Sequence, residues 1–424
     1  MPNKLVAAIE SGACHSAFSK LYGSRAPAQD ARCLAAIRSF EAVFGQRKGC
    51  RLFSAPGRSE IAGNHADHQN GMVLAAAVTL DILAVVSPNP DGIIRMKSPD
   101  YPLLKVSTHE LSPRKNERGS SHALVRGVAS GLKRAGFSIG GFDAFVVSDV
   151  PKGAGLSSSA AYSILIGSIL SGLYNGGAIP PLALALSAKY AENRYFGKPS
   201  GLMDQLACAE GGFTRIDFAQ PEQPQVLHID CDLGALGYSF CIVSPGGSHA
   251  KLTQEYAAIP ADMQSVAAYF GKRLLCEVDG AAFYDALGSL RGRVSDRAIL
   301  RSLHFFSENA RVPKIAEALQ NKDMPEAIAL LRASGESSEQ LLQNICPANP
   351  QERSLSLALA LSSRILSGKG AWRVHGGGFA GTMLACMPSG DIPAYVAEME
   401  RVFFKGCCYL PEVRPAGGTE ILPA

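Results

Sequence analysis

The chain has 424 residues, of which 47% are hydrophobic and 18% charged, and its formal net charge at pH 7 is +4. This length allows two or three domains, and the composition is that of a globular protein rather than a disordered chain. Because the basic residues are scattered, neither nucleic-acid binding nor membrane-surface binding is expected. The start of the chain lacks the plan of a signal peptide and no run of about 18 apolar residues is uninterrupted, so a cytoplasmic protein is expected.

The 11 cysteines are spread from Cys14 to Cys408 and form no CxxC pair. In a chain of this size, that pattern indicates reduced, mostly buried thiols rather than a disulfide framework or a zinc site. The nine histidines are equally dispersed, so a structural transition-metal site is not expected either.

The first half of the chain is rich in strands. Residues 51–55 form a short strand that runs into Pro56-Gly57, a turn signal. Further strands are predicted at 72–86, 93–96, 103–106 and 142–147, and near Leu206 and Phe213. Helical periodicity predicts helices at 29–44, 121–135, 156–174 and 181–195.

The second half of the chain is richer in predicted helices. It begins with PEQPQ, residues 221–225, which reads as a linker or a hairpin loop. Helices are predicted near 252–272, 280–288, 296–310, 313–333, 352–367 and 392–403. Strands are predicted at 238–244, 371–374 and 381–387 and near Tyr409. The order, strands first and then a helix-rich half closed by strands, predicts an α+β fold.

The segment from Pro151 to Ala160, PKGAGLSSSA, joins a predicted strand to a predicted helix. Its glycines let the backbone come close to a ligand, because no Cβ stands in the way. The three serines fall where the first helical turn has free N–H groups, an arrangement that favours anions and above all phosphate. These residues suit a flexible turn capped by serine equally well.

Residues 55–71, APGRSEIAGNHADHQNG, place many hydrogen-bond donors and acceptors on one loop. Such a loop suits a polyhydroxylated ligand, because each sugar hydroxyl both donates and accepts a hydrogen bond. The alternative is an ordinary solvated loop.

Two carboxylates follow in AENRYFGKPSGLMDQ, residues 191–205. Glu192 lies near the end of a predicted helix, and Asp204 lies beyond a Pro-Ser-Gly turn. One could hold magnesium while the other accepts the proton of an attacking hydroxyl, as phosphoryl transfer requires. Taken alone, the two carboxylates read as surface acids.

The last cluster, HGGGFAG at 375–381, has three consecutive glycines, which are costly in backbone entropy. It indicates close packing against a ligand or another loop, or a tight structural turn.

Rival motifs are missing: the sequence has no GxxxxGK[ST] P-loop, no GxGxxG after the first strand and no GxSxG nucleophile elbow. A hydrolase is therefore not expected.

Taken in this order, the four motifs resemble those of the GHMP family of small-molecule kinases. PKGAGLSSSA resembles the phosphate loop of that family, and HGGGFAG resembles its C-terminal glycine motif. The loop at 55–71 and GLMDQ at 201–205 are similar to the galactokinase segments of the family. The resemblance spans residues 51–418 and implies an N-terminal domain of the ribosomal-protein-S5 type (1–220), a ferredoxin-like C-terminal domain (221–424) and an active site in the cleft between them.

The resemblance also implies ATP as co-substrate, Mg²⁺ as metal and a sugar phosphorylated at its anomeric hydroxyl. Asp204 would be the catalytic base, and Arg58 beside it would keep the carboxylate ionised. Ser159 and Glu192 would ligate the magnesium. The implied sugar contacts are Asn64, His65, Asp67, Gly201 and Tyr256. The implied phosphate contacts are Gly153, Ala154, Gly155, Leu156, Ser157, Ser158 and Ser159.

Three departures from the family pattern affect the choice of sugar. Asn64 stands where galactokinases have glutamate, Ser59-Glu60 stands where they have Val-Asn, and residues 343–350 also differ. The expected product is galactose 1-phosphate, and the alternatives are an N-acetylated sugar, a deoxy sugar or arabinose as substrate, or a catalytically weak sugar sensor. The sequence leaves open the role of residues 1–46, whether Asp204 is a true base, and the oligomeric state, with a monomer favoured.

Overall fold

The computed structural model describes residues 4–47, 49–151, 153, 155–247 and 252–423. Within these ranges the helices are α1 (Lys4–Glu10), α2 (His15–Tyr22), α3 (Gln29–Phe44), α4 (Ser121–Arg134), α5 (Ser158–Tyr174), α6 (Pro181–Tyr190), α7 (Met203–Glu210), α8 (Thr253–Tyr269), α9 (Gly280–Asp285), α10 (Leu287–Leu290), α11 (Asp296–Gln320), α12 (Met324–Ser337), α13 (Ser354–Leu366) and α14 (Ile392–Val402). The strands are β1 (Arg51–Ala62), β2 (Met72–Asn89), β3 (Ile93–Lys97), β4 (Leu104–Ser107), β5 (Gly141–Ser148), β6 (Phe213–Asp217), β7 (Gln225–Ile229), β8 (Tyr238–Val243), β9 (Ala371–His375), β10 (Thr382–Pro388), β11 (Cys408–Tyr409) and β12 (Thr419–Ile421).

The larger sheet has the strand order β12-β1-β2-β5-β3-β4, with β6 and β7 extending from β2. Successive residues of a strand point to opposite faces, and here both faces are covered. Phe53 and Ala84 pack into the large core that includes α5 and α7, whereas Leu52 and Leu83 pack against the N-terminal helices. Because β2 is buried on both sides, its sequence is almost continuously apolar.

The smaller sheet has the order β11-β8-β10-β9 and is antiparallel throughout. One of its faces packs against α13 and α14 to form a separate core, which includes Met383, Leu359 and Tyr395. Helix α12 lies against β9 and packs on α11. The predicted α+β class is confirmed.

Three local predictions are wrong. Strand β1 does not stop at Pro56-Gly57, because it stays paired with β2 before and after this point, with a register shift between Pro56 and Arg58. Strand β12 pairs only with residues 52–54, so Pro56, which has no N–H, lies beyond that pairing. Leu206 lies in helix α7, not in a strand. The predicted break near residue 311 is absent, since α11 continues through Pro313 to Gln320.

The predicted domain boundary at residue 220 falls inside the hairpin that joins β6 and β7. Phe213 pairs with Ile229 and Asp217 pairs with Gln225 across this hairpin, so residues 221–224 lie in its loop, Gln225 begins β7, and the segment is not a linker. Near the other end of the chain, Ile421 of β12 pairs with Leu52 of β1. The larger sheet therefore contains strands from both sides of residue 220, so this residue does not separate the chain segments that form the two sheets.

The cysteines are free thiols, and most of them are buried. Across the described ranges, no cluster of three or more His, Cys, Asp or Glu side chains is arranged to hold a metal ion. None of the described helices combines the length and the apolar character needed to cross a bilayer.

Candidate active site

Arg58, Ser157 and Asp204 meet where β1, the turn before α5 and the start of α7 converge. Arg58 Nε donates to Asp204 Oδ1 at 2.7 Å, and Ser157 Oγ donates to Asp204 Oδ2 at 2.5 Å. Both carboxylate oxygens are therefore fixed by a donor. The structure brings together Arg58 and Asp204, the pair that the sequence assigned to catalysis, although they lie far apart in the chain.

The surroundings keep Asp204 ionised. Burial by itself raises the pKa of this carboxyl, but the charge of Arg58 and the hydrogen bonds from Arg58 and Ser157 outweigh it and lower the pKa to about 2. Asp204 also lies in the first turn of α7, where the helix dipole favours a negative charge. At neutral pH the site therefore presents a carboxylate in a fixed orientation.

The turn before α5 is tied to the rest of the site by its backbone. Arg58 Nη1 donates to the carbonyl oxygen of Gly155 at 2.5 Å, and the Arg58 backbone N–H donates to Leu156 O at 3.1 Å. Ser157 has φ of 56° and does not cap the helix, since its hydroxyl donates to Asp204 instead. The serine-capped turn is therefore the wrong alternative, and the N–H groups at the start of α5 are left for another acceptor.

Gly155 also contacts the C-terminal glycine motif. Its φ is +68°, and a Cβ at this position would lie 2.6 Å from Thr382 Oγ1 and 2.8 Å from His375 Nδ1. The turn before α5 therefore packs directly against His375, the first residue of the glycine motif, and against Thr382, which follows the motif. Among the predicted phosphate contacts, Ala154 lies outside the described residues, Gly153 is exposed, and Ser158 and Ser159 lie in the first turn of α5.

Glu192 lies in a single π-helical turn, residues 191–196, that follows α6. It is 2% exposed, and its Oε1 has no hydrogen-bond partner within the described part of the chain. Glu192, Asp204 and Arg58 all act electrostatically on the pKa of Cys208, so the three charged groups lie near the same thiol. A buried carboxylate oxygen without a donor fits a cation ligand, because such an oxygen is otherwise costly. Its pairing with Ser159 through magnesium stays a prediction.

The predicted sugar residues lie around the glycine motif. His65 Nε2 donates to Gly377 O at 3.0 Å, and burial lowers the pKa of this histidine to about 3, so the ring is neutral. Tyr256 donates its hydroxyl to Gly378 O at 3.1 Å. Gly201 lies directly against Asp67, since a Cβ on this glycine would be 2.3 Å from Asp67 Oδ2. The structure thus gathers four of the five predicted sugar residues at one place.

Asn64, the fifth, lies inside the protein with no exposed surface. Its Nδ2 donates to Glu60 Oε1 at 2.7 Å and to Gly376 O at 2.7 Å, and its Oδ1 accepts from Asn344 Nδ2 at 2.6 Å. Its contact with sugar therefore stays a prediction, whereas its contacts within the protein are clear. Sequence analysis named Glu60 and the segment 343–350, which contains Asn344, only as departures from the family pattern, and it did not name Arg373.

Comparison with known proteins agrees with this geometry. Residues 38–88 match the galactokinase galactose-binding signature, and residues 123–212 match the N-terminal domain of GHMP kinases. The galactokinase of Streptomyces coelicolor is 30% identical over 366 residues, which cover 85% of this chain and 91% of that protein. The chain belongs to the galactokinase family of GHMP kinases. As a member of this family it is an enzyme, a kinase with ATP as co-substrate.

Solved structures of GHMP kinases share the fold of this galactokinase-family chain. Lactococcus lactis galactokinase complexed with galactose aligns with a TM-score of 0.78 at 23% identity, covering 91% of this chain and 99% of its own. Methanococcus jannaschii mevalonate kinase aligns with a TM-score of 0.61 at 15% identity, covering 87% and 99%. The predicted two-domain GHMP architecture is therefore confirmed as the fold.

Proposed function

We propose that the protein transfers the γ-phosphoryl group of ATP to the anomeric hydroxyl of galactose, forming galactose 1-phosphate. The observation that supports this most is the Arg58–Asp204 pair, held against the phosphate turn at Gly155 and Leu156. The match of residues 38–88 to a galactose-binding signature supports the choice of sugar. ATP as co-substrate also favours the cytoplasm, the location expected from the sequence.

In this mechanism the Asp204 carboxylate accepts a hydrogen bond from the attacking sugar hydroxyl. With a pKa of about 2 it is a weak base, so its main contribution is to orient the hydroxyl and to take the proton once the new P–O bond is largely formed. A loose phosphoryl-transfer transition state suits this role, because positioning and electrostatics supply most of the catalysis. Arg58 holds the carboxylate in place and places a positive charge beside the reacting groups.

The phosphate groups would lie at the N-terminus of α5, a helix of 17 residues. Its first N–H groups are not used by a serine cap, and the positive end of the helix dipole favours phosphate oxygens. Glu192 and Ser159 would hold the magnesium ion that accompanies ATP, and the ion would neutralise charge on the phosphates. The unpartnered Oε1 of Glu192 fits this assignment.

A sugar panel tests the proposal. Purified protein is assayed for ATP consumption with galactose, N-acetylgalactosamine, 2-deoxygalactose and arabinose, and galactose is expected to give the highest kcat/KM. Asp204→Asn serves as the background control, since it keeps the shape of the site. A far higher kcat/KM for another sugar would overturn galactose as the substrate, and no turnover with any sugar would favour a sensor.

Substitution of Gly155 by alanine is expected to lower kcat/KM for ATP by about tenfold to a hundredfold, because a shift of roughly 1 Å in the turn misplaces the phosphate. The new Cβ would press on Thr382 and His375, and φ of +68° strains any side chain. Steady-state kinetics at varied ATP measure the effect. Gly119→Ala is the matched control, since that glycine also has positive φ but has nothing within 4 Å of its Cβ position. Equal effects at both positions would show that backbone strain alone, and not the contact, is responsible.

A further inference from the structure

Two of the departures from the galactokinase pattern lie against each other in the fold. Galactokinases carry asparagine at the position of Glu60 and glutamate at the position of Asn64, so this chain has the same two side-chain types in exchanged order. Asn64 Nδ2 donates to Glu60 Oε1 at 2.7 Å. The two departures are therefore one structural feature and not two independent changes.

Glu60 is a buried carboxylate with a partner from the second half of the chain. It is 3% exposed, and Arg373 Nη2 lies 3.2 Å from its Oε1. Arg373 also donates to the carbonyl oxygen of Ile61, so this arginine is fixed to the end of β1 at two points. Burial raises the pKa of Glu60 to about 7, against the charges of Arg373 and Arg58. A buried pair of this kind contributes little net stability, so its effect is expected in the geometry of the neighbouring loop.

The chemistry of Asn64 explains why the exchange has to be a joint one. Its amide nitrogen carries two N–H donors, and the structure uses one for Glu60 and the other for Gly376 O. A glutamate at position 64 would offer only acceptors to a carboxylate and a carbonyl. It would therefore be repelled by both, and replacing Glu60 by a residue that can donate would remove the stronger repulsion, the one between the two carboxylates.

The same pair also helps to hold in place the predicted sugar-binding loop, residues 63–71 between β1 and β2. The Asn64 carbonyl oxygen accepts from His304 Nε2 at 3.0 Å, and Asn344 Nδ2 reaches both Asn64 Oδ1 and Gly377 O. His65, the next residue, donates to that Gly377 carbonyl. The position of His65 is thus set by contacts that begin at Glu60 and Asn64.

We propose that Glu60 is a positioning residue for the sugar-binding loop and that it acts with Asn64 as a single exchanged pair. This inference rests on the proposed function, because it takes His65 and Asp67 as contacts of the sugar. Disturbing the pair moves the sugar loop against the glycine motif and weakens sugar binding. The Arg58–Asp204 pair and the turn before α5 keep their own contacts, so the use of ATP is not affected.

A double-mutant cycle tests the pair, with Glu60→Asn, Asn64→Glu and the double variant that restores the usual family order. Each single change is expected to raise KM for galactose by about tenfold or more, the scale of one lost hydrogen bond to a charged group. Asn64→Glu has the larger effect, since it places two carboxylates together. The double variant is expected to recover to within about threefold of wild type, a strong non-additivity. KM for ATP stays within about twofold in all three, since their contacts are separate.

Glu420→Gln is the matched control, because Glu420 forms the same type of pair with Arg51 at the opposite end of β1. It is expected to lower the midpoint of thermal unfolding without changing KM for galactose. Additive effects of the two single changes, or an equal rise of KM for both substrates, would overturn the positioning role. If wild type does not use galactose, the proposed function fails by itself, and the cycle is run on the best sugar of the panel.

Discussion

Asp204→Asn is expected to lower kcat by about 10²–10⁴-fold, the usual contribution of a positioned acid or base group. Asparagine keeps the size of the side chain, its amide oxygen can still accept from Arg58, and the Ser157 hydroxyl can turn to accept from its amide nitrogen, so the fold should be intact. It loses the negative charge that orients the hydroxyl and later takes its proton. Steady-state kinetics give kcat, and circular dichroism with urea unfolding confirms that the variant is folded.

The pH dependence separates this role from that of an ordinary base. Because the pKa of Asp204 is lowered to about 2, the carboxylate remains ionised at all higher pH and is protonated only as the pH falls towards that value. No acidic limb of kcat/KM between about pH 5 and 8 should therefore come from Asp204. Ser157→Ala removes one hydrogen bond and keeps the charge, so its effect should be much smaller. Wild-type kcat in Asp204→Asn would contradict the mechanism.

The elements that sequence analysis predicted well are those with strong local patterns. The long apolar strand β2 and the helices α3, α4 and α5 each carry a periodicity that any window of the sequence shows. The motif residues lie on regular elements as well as beside them, with Arg58 on β1, Asp204 in the first turn of α7, and Ser158 and Ser159 in the first turn of α5. Local periodicity and motif order were sufficient for the fold class. They also singled out Arg58 and Asp204, which lie in contact, and the catalytic role of the two stays a prediction.

The wrong predictions have a common cause, which is tertiary context. The Pro56-Gly57 signal is overridden because β1 stays paired with β2 before and after it, and a short apolar run such as the one around Leu206 does not distinguish strand from helix. The N-terminal helices α1 and α2 were not predicted. They are short, and burial of Ile9 and Phe18 against the sheet stabilises them.

The contacts of the sugar loop had no local signal at all. Arg373 and Asn344 lie about 300 residues from Glu60 and Asn64. Arg373 lies just before the glycine motif and Asn344 lies in a segment that departs from the family pattern, but neither position shows which residues they contact. The sequence does show that Glu60 and Asn64 are unusual for the family. It does not show that the two side chains are hydrogen-bonded to each other, because that depends on how the loop turns after β1.

The contacts of Asp81 show how the N-terminal residues, whose role the sequence left open, are joined to the rest of the fold. This aspartate of β2 has no exposed surface and accepts from Tyr22 Oη at 2.7 Å and from Arg32 Nη1 at 2.7 Å. Arg414, which is also fully buried, lies 3.3 Å away, and Ser54 donates to the same carboxylate. A single carboxylate thus joins the N-terminal helices, the larger sheet and the C-terminal segment.

Asp81→Ala is expected to lower the free energy of unfolding by about 3–5 kcal/mol, because it leaves buried arginine charge without its partner. Urea unfolding measures the loss. Asp91→Ala, which breaks a more exposed pair with Arg95, is the control and should change little. Burial raises the pKa of Asp81, but Arg32 and Arg414 lower it overall. Its folded pKa is therefore below the unfolded value of about 3.9, so its contribution is present at neutral pH and is lost on acidification.

Kinetic measurements on Asp81→Ala show whether Asp81 only stabilises the fold or also contributes to activity. Tyr22 and Arg32 contact Asp81 and not the Arg58–Asp204 pair, so the variant, assayed below its unfolding temperature, should keep KM for both substrates. Tyr22→Phe removes one of the hydrogen bonds and leaves the arginines paired, so it should lose only about 1 kcal/mol. Because phenylalanine keeps the ring contacts with Phe18 and Arg414, a loss as large as that of Asp81→Ala would show that the Tyr22 hydroxyl, and not the ion pairs of Asp81 with the arginines, holds the N-terminal helices in place.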